Sequence, residues 1–155
     1  MVNNTIEEFL NMLREDMIFS FLDDGEIEKI APFFELANYP ANTTVFKEGD
    51  PSDFMGFVIS GKLEVKKQTE FKGNQLIIAL LSKGALVGEL SMFDKHDRSA
   101  TVEAVNTTTL IILKHQALDS LMQLYPNIGI KILKGLIRVL SLRLRKATER
   151  LTTIF

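Results

Sequence analysis

Hydrophobic and polar positions divide this chain into a helical, an extended and a second helical region. From Thr5 to Phe21 apolar residues recur every three or four positions, which predicts an amphipathic helix. Asp23 and Glu26 have the spacing of a capping box, which predicts a second, short helix that Pro32 closes.

The middle region, from Glu35 to Leu113, has the texture of β-structure. Short runs rich in β-branched and aromatic residues alternate there with glycine, proline, asparagine and aspartate turns. The runs predicted as strands are residues 43–46, 54–59, 63–65, 76–81, 101–105 and 107–113. Regular short strands separated by such turns favour a sandwich or a barrel.

The last region predicts two helices, over residues 116–124 and from Pro126 nearly to Phe155. One apolar stripe on the long helix has coiled-coil spacing and comprises Leu133, Ile137, Leu140, Leu144, Ala147 and Leu151. A second apolar set comprises Ile132, Leu136 and Val139. We expect one set to pack on the β-region and the other to meet a partner helix in a parallel homodimer. The alternative is that both sets are buried within one subunit.

Composition narrows the class of protein. A chain of 155 residues with 46% hydrophobic and 25% charged residues is typical of one soluble globular domain. The absence of cysteine excludes disulfides and thiolate chemistry. The net charge of −2 does not favour nucleic-acid binding. The basic residues of the last helix are expected to form a solvated face. Neither a membrane span nor a signal peptide is indicated, so a cytoplasmic location is expected.

The stretch from Gly88 to Val102 carries the candidate chemistry. Gly88 permits a tight bend, after which a short helix can begin with free backbone N–H groups that attract anions. Arg98, nine residues after Glu89, has a donor geometry suited to a phosphate, and Ser99 adds a hydroxyl. Glu89 could accept a hydrogen bond from a ribose hydroxyl. The ordinary alternative is a partly solvated ion pair between Glu89 and Arg98.

The same stretch resembles the phosphate-binding cassette of the cyclic nucleotide-binding domain family. The family pattern stands as Gly-Glu-Leu-Ser-Met at residues 88–92 and as Arg-Ser-Ala-Thr-Val at residues 98–102. Further family features are the Glu-Gly-Asp turn at residues 48–50 and the glycine-centred strand pair at residues 59–65. Asp97 departs from the proline that many members have before the arginine.

The resemblance extends over about residues 17–144 and implies a specific fold. That fold is mainly β with flanking helices: an eight-stranded jelly-roll β-barrel, also called a double-stranded β-helix, with N-terminal helices and a long C-terminal helix. We expect a single domain over residues 1–155. It would comprise an N-terminal helical lead-in (1–34), the β-roll (35–114) and the C-terminal helices (115–155).

The resemblance also implies roles for individual residues. Glu89 would accept the ribose 2′-OH, and Arg98 would pair with the cyclic phosphate. Ser99 and the amides near Leu90 and Ser91 would complete the cradle. Arg143 lies at the position from which a residue of the last helix binds the base in catabolite-activator-type members. The predicted ligand-binding residues are Gly88, Glu89, Leu90, Ser91, Arg98, Ser99, Ala100 and Arg143.

These features predict a sensor without catalytic residues, whose ligand is cyclic AMP or cyclic GMP. Cyclic AMP is favoured because Ser99 stands where threonine is associated with cyclic GMP selection in channels. The signal would pass through the C-terminal helix to a downstream protein partner. The alternative is a degenerate domain of the same fold that acts as a dimerising adaptor and binds no nucleotide.

Two other function classes are not expected. An enzyme on such a fold would be cupin-like and need a metal, for which His96 and His115 are too few and too far apart. Direct DNA binding would need a helix-turn-helix after the last helix, and the sequence contains none there.

Overall fold

The structure is a computed structural model that describes residues 2–15 and 18–153. The chain forms two compact units. A helical unit contains the segment up to Pro32 and the segment from Asp119 onward, and a β-unit spans Phe33–Leu118. The predicted single domain over residues 1–155 stays a prediction.

Five helices occur in the described residues. Their bounds are α1 Val2–Glu15, α2 Asp24–Ile30, α3 Leu90–Asp94, α4 His115–Leu124 and α5 Pro126–Thr153. The predicted capping box of α2 is confirmed, because the Glu26 amide donates to the Asp23 carboxylate at 2.8 Å and the Asp23 amide donates to the Glu26 carboxylate at 3.1 Å. A short 3₁₀ turn that contains Pro32 follows directly.

The first helix is shorter than predicted. It ends at Glu15, and Met17, which belonged to the predicted apolar stripe, lies outside the described residues. From Ile18 the chain turns, with the Leu22 amide donating to the Phe19 carbonyl at 3.1 Å. The carbonyl of Ile18 lies so close to α5 that only a glycine, Gly135, fits beneath it. Tertiary packing on α5 therefore overrides the helical spacing of this segment.

The β-unit contains the eight strands that the family resemblance implies. Their bounds are β1 Phe34–Tyr39, β2 Thr44–Phe46, β3 Phe54–Ser60, β4 Leu63–Gln68, β5 Gln75–Leu81, β6 Leu86–Val87, β7 Thr101–Ala104 and β8 Thr108–Lys114. The strands predicted from the sequence did not include β1 and β6. Polar residues interrupt β1, and β6 has only two residues, too few to show a period.

The predicted closed barrel is wrong. The strands form two separate four-stranded sheets, in the orders β1-β8-β3-β6 and β2-β7-β4-β5, so each sheet keeps two edge strands. Closure would require ladders that join the edges of one sheet to those of the other, and all pairings among residues 2–15 and 18–153 run within a sheet. Both sheets contribute residues to one hydrophobic core, which comprises Val58, Leu63, Val87, Val102, Ala104, Leu110 and Ile112.

The predicted long C-terminal helix is confirmed as α5, and its two apolar sets differ in exposure. Ile132 and Leu136 of the second set are buried. Within the coiled-coil stripe, Ile137 and Leu144 are 63% and 69% exposed. No helix in the described part of the chain is long and apolar enough to cross a membrane.

Candidate functional site

The backbone between β6 and β7 has the shape that the sequence predicted. Gly88 follows β6 with φ +80°, a left-handed conformation that disfavours any residue with a side chain. The short helix α3 begins at Leu90, and Lys95 reverses the chain at its end with φ 59°. Strand β7 then starts at Thr101.

Arg98 is the central side chain of this segment, because its guanidinium turns inward and its side chain is only 1% exposed. Nη2 donates to the Phe54 carbonyl at 2.7 Å, and Nη1 donates to the Gly88 carbonyl at 3.2 Å. A Cβ atom on Gly88 would come within 2.5 Å of Nη1. The structure therefore brings Gly88 and Arg98 together, and each shapes the space of the other.

The turn between β2 and β3 holds the backbone of Arg98. The Arg98 amide donates to the Asp50 carbonyl at 2.8 Å, and the Gly49 amide donates to the Arg98 carbonyl at the same distance. The Glu48 amide donates to Thr101 Oγ1 at 2.9 Å. The Glu-Gly-Asp turn is thus part of the site's frame, although it is some 50 residues from the arginine in sequence.

The positive charge of Arg98 is desolvated and only loosely paired. Its Nη2 atom is 3.9 Å from Oδ1 of Asp53, whose side chain is 77% exposed. Burial lowers the pKa of Arg98, while the carboxylates of Asp53, Asp50 and Glu89 act in the opposite direction. Arginine nevertheless stays protonated in proteins. Within the described part of the chain, Arg98 Nε is buried and has no hydrogen-bond partner, so the site holds a cation with a spare donor.

Aromatic residues surround the guanidinium. The Arg98 Cζ atom lies 3.9 Å from the ring centroid of Phe46 and 4.7 Å from that of Phe54. The two rings meet edge to face, with centroids 6.1 Å apart and an interplanar angle of 72°. We call Phe46 and Phe54 the aromatic corner. Tyr39 is also near, and burial together with Asp53 raises its pKa against the opposing effect of Arg98.

Sequence reasoning missed the aromatic corner. Phe46 ends β2 and Phe54 begins β3, so both flank the Glu-Gly-Asp turn. Aromatic residues at strand ends are common in β-structure, and nothing in their spacing shows that they meet an arginine that follows them by 52 and 44 positions.

The other predicted residues of the cassette have mixed exposure. Glu89, Ser91 and Ala100 are buried. Ser99 is exposed, and its carbonyl accepts a hydrogen bond from Lys67 Nζ at 2.5 Å. Leu90 is the first residue of α3.

One predicted ligand-binding residue, Arg143, falls outside this group of residues. Arg143 lies on α5, in the helical unit, where it is half-buried. No group of three or more metal-binding side chains occurs among residues 2–15 and 18–153.

Comparison with known proteins finds similarity over most of the chain. A family model described as the cyclic nucleotide-binding domain matches residues 36–125. The cyclic AMP receptor protein of Thermus thermophilus is 31% identical over 130 residues, which are 84% of this chain and 58% of that protein. A putative potassium channel protein of Rhodopseudomonas palustris is 31% identical over 122 residues, which are 79% of this chain and 29% of that protein.

A solved structure gives the same result. A cyclic nucleotide-binding domain from Methylobacillus flagellatus matches with a TM-score of 0.88 and 27% identity, covering 99% of this chain and 86% of that chain. The chain spans less than two thirds of the length of the two curated relatives named above. Because the family model covers more than half of its residues, this chain belongs to the cyclic nucleotide-binding domain family.

Proposed function

We propose that this chain is a non-catalytic sensor that binds a cyclic nucleotide, with cyclic AMP preferred over cyclic GMP. The observation that carries the proposal is Arg98, a buried cation whose ion pair with Asp53 is as long as 3.9 Å and whose Nε has no partner among the described residues. A desolvated charge of this kind attracts an anion, and hydrogen bonds between charged groups are the strong ones. The name of the Thermus thermophilus relative, a cyclic AMP receptor protein, supports cyclic AMP as the ligand.

Each cassette residue has a proposed task. Arg98 pairs with the cyclic phosphate, and the amides of Leu90 and Ser91 with the Ser99 hydroxyl complete the cradle. Glu89, which is buried, accepts the ribose 2′-OH. Gly88 leaves room for the Arg98 guanidinium, the small side chain of Ala100 lets the ligand approach closely, and Arg143 contacts the base.

Isothermal titration calorimetry tests the proposal directly. We expect the chain to release or absorb heat with cyclic AMP, and more weakly with cyclic GMP, at ligand concentrations up to about 1 mM. Arg98→Lys keeps the charge but loses the planar fork, so affinity should fall by about ten- to a hundredfold. Arg145→Lys, an exposed change on α5, is the matched control. No heat from ligand-free native protein with either nucleotide would refute the sensor.

Nucleotide preference is a separate test. The preference for cyclic AMP rests on Ser99, which is exposed. We expect Ser99→Thr to raise the affinity for cyclic GMP relative to that for cyclic AMP. Competition titrations with both nucleotides measure the ratio, and an unchanged ratio contradicts the role of Ser99.

A second candidate function is a dimerising adaptor that binds no nucleotide. The observation that favours it is that the Arg98 guanidinium is already covered, with carbonyl partners at 2.7 Å and 3.2 Å. The same titration separates the two functions, because the adaptor gives no nucleotide heat and still forms dimers.

We further propose that α5 forms a parallel dimer and passes the ligand signal to a protein partner. The exposed side chains of Ile137 and Leu144 support the dimer, because apolar stripes of coiled-coil spacing pair with each other. Ile137→Glu and Leu144→Glu should give monomers in sedimentation equilibrium. Lys146→Glu, outside the stripe, should leave the dimer intact. Slower amide hydrogen exchange in α5 with cyclic AMP would support transmission, and unchanged exchange would contradict it.

We also infer that the β-unit has jelly-roll topology. The sheet orders β1-β8-β3-β6 and β2-β7-β4-β5 support it, because consecutive strands alternate between the sheets over most of the chain. A crystal structure that gives another strand order would contradict this topology.

A further inference from the structure

The aromatic corner is an unusual environment for a buried arginine. Buried cations are ordinarily paired with a carboxylate at hydrogen-bonding distance. Arg98 instead has two main-chain carbonyls at its edge and two ring centroids at 3.9 Å and 4.7 Å from Cζ. The negative faces of aromatic rings attract a cation, and the attraction grows when water is excluded.

A ring and a carboxylate stabilise the guanidinium in different ways. A carboxylate would accept hydrogen bonds from the N–H groups of Arg98. It would therefore compete with an incoming phosphate for the same donors. A ring face attracts the charge and leaves those donors available. In this site Arg98 Nε is buried and has no hydrogen-bond partner in the described part of the chain.

We propose that Phe46 and Phe54 are positioning residues that orient the Arg98 guanidinium for the phosphate of the ligand. This inference rests on the proposed function, since it assigns a task within the same site. Phe54 contributes twice, through its ring and through its carbonyl, which accepts from Nη2. Phe46 contributes through its ring face, so its electrostatic effect is the one to measure.

Phe46 also touches the core of the β-unit, so truncation alone would mix packing with electrostatics. Fluorinated phenylalanines solve this problem, because successive fluorines weaken the negative ring face and change the shape of the side chain little. We propose to incorporate mono-, di- and trifluorophenylalanine at position 46 by nonsense suppression. Cyclic AMP affinity is then measured by calorimetry, and thermal unfolding checks that each variant is folded.

We expect affinity to fall stepwise along the series, to a total loss of about three- to thirtyfold. Phe46→Leu, which removes the ring face, should lose at least as much. The matched control is the same series at Phe71, an exposed ring in the turn between β4 and β5, where affinity should not change.

Two results would overturn the inference while leaving the proposed function standing. One is a flat series at position 46 in a chain that binds cyclic AMP. The other is an equal loss at position 71. If the unmodified chain gives no heat with either cyclic nucleotide, the proposed function itself fails, and the two failures are thereby distinguished.

Discussion

Arg98 and Gly88 show how two residues of one motif depend on each other. The guanidinium occupies the space where any other residue at position 88 would place its Cβ, and the Gly88 carbonyl accepts from it at 3.2 Å. The positive φ of Gly88 adds a second, independent demand for glycine. The spacing between Gly88 and Arg98 in the sequence therefore corresponds to a direct contact between these two residues in the fold.

Gly88→Ala should both destabilise the fold and weaken ligand binding. The left-handed backbone costs an alanine about 1–2 kcal/mol, and the methyl group displaces Arg98. Gly73→Ala is the matched control, because Gly73 has φ +92° and an added Cβ atom there would meet nothing within 4 Å. Urea unfolding should give a larger loss for Gly88→Ala than for Gly73→Ala, because the added Cβ at position 88 also meets Arg98 Nη1, and calorimetry should show weaker cyclic AMP binding for Gly88→Ala alone. Equal affinities would contradict the contact with Arg98.

Glu48 links the turn of the site to β4. Its carboxylate accepts from the Gln68 amide at 3.0 Å and from Lys67 Nζ at 3.0 Å. The Gln68 hydrogen bond, followed by Lys67, lowers the pKa of Glu48 below 4.5. Because the folded state favours the ionised form, this stabilisation is present above the unfolded-state pKa and is lost as the pH falls through the folded-state pKa.

Glu48→Gln should flatten the acid part of the stability profile. The free energy of unfolding of the native chain should fall as the pH drops below about 4.5, and that of the variant should fall less steeply. Urea titrations at a series of pH values measure both slopes. Glu28→Gln, an exposed change on α2, controls for the altered net charge. Identical slopes for Glu48→Gln and the native chain would contradict the role of this carboxylate.

At the scale of elements, β5 is the strand whose environment differs most from its sequence pattern. Its run of apolar residues is typical of a buried strand. The structure instead places it at the edge of its sheet, where Leu76, Ile77, Ile78 and Leu80 are all exposed. A register irregularity between Val65 and Lys66 of the neighbouring β4 breaks the alternation of faces along this pair.

Leu80→Lys should therefore be tolerated, whereas Leu110→Lys should not. Leu80 is 59% exposed and lies opposite Glu64 in the ladder, so a lysine there gains a favourable neighbour. Leu110 is fully buried in the core of the β-unit. We expect the free energy of unfolding to change within about 0.5 kcal/mol for Leu80→Lys and to fall by about 4 kcal/mol or more for Leu110→Lys. Comparable losses in urea unfolding would contradict the exposure of Leu80 on β5.

At the scale of the whole molecule, ligand binding and stability are linked. A ligand that binds only the folded chain stabilises it by about 2.7 kcal/mol at a concentration of 100 Kd. For a chain of 155 residues this corresponds to a rise in Tm of roughly 5–10 °C. Differential scanning fluorimetry with cyclic AMP measures the rise, and Arg98→Lys, with its tenfold to hundredfold weaker binding, should show about one half to one seventh of it at the same concentration. A rise in Tm of equal size in that variant would contradict the role of Arg98 in ligand binding.

The sequence determined the features that depend on neighbours along the chain. The capping box at Asp23, the bend at Gly88, the short helix after it and the long helix from Pro126 all arise from local chemistry, because each is set by residues within a turn or two of each other. The cassette motif also identified the family.

The tertiary structure decided the features that depend on distant partners. It divided the strands into two open sheets, packed the turn at Ile18 against Gly135, and set β5 at an exposed edge. It also brought Phe46 and Phe54 onto Arg98 across 52 and 44 positions. Periodicity shows which face of an element is apolar, and it carries no information about which distant element will cover that face.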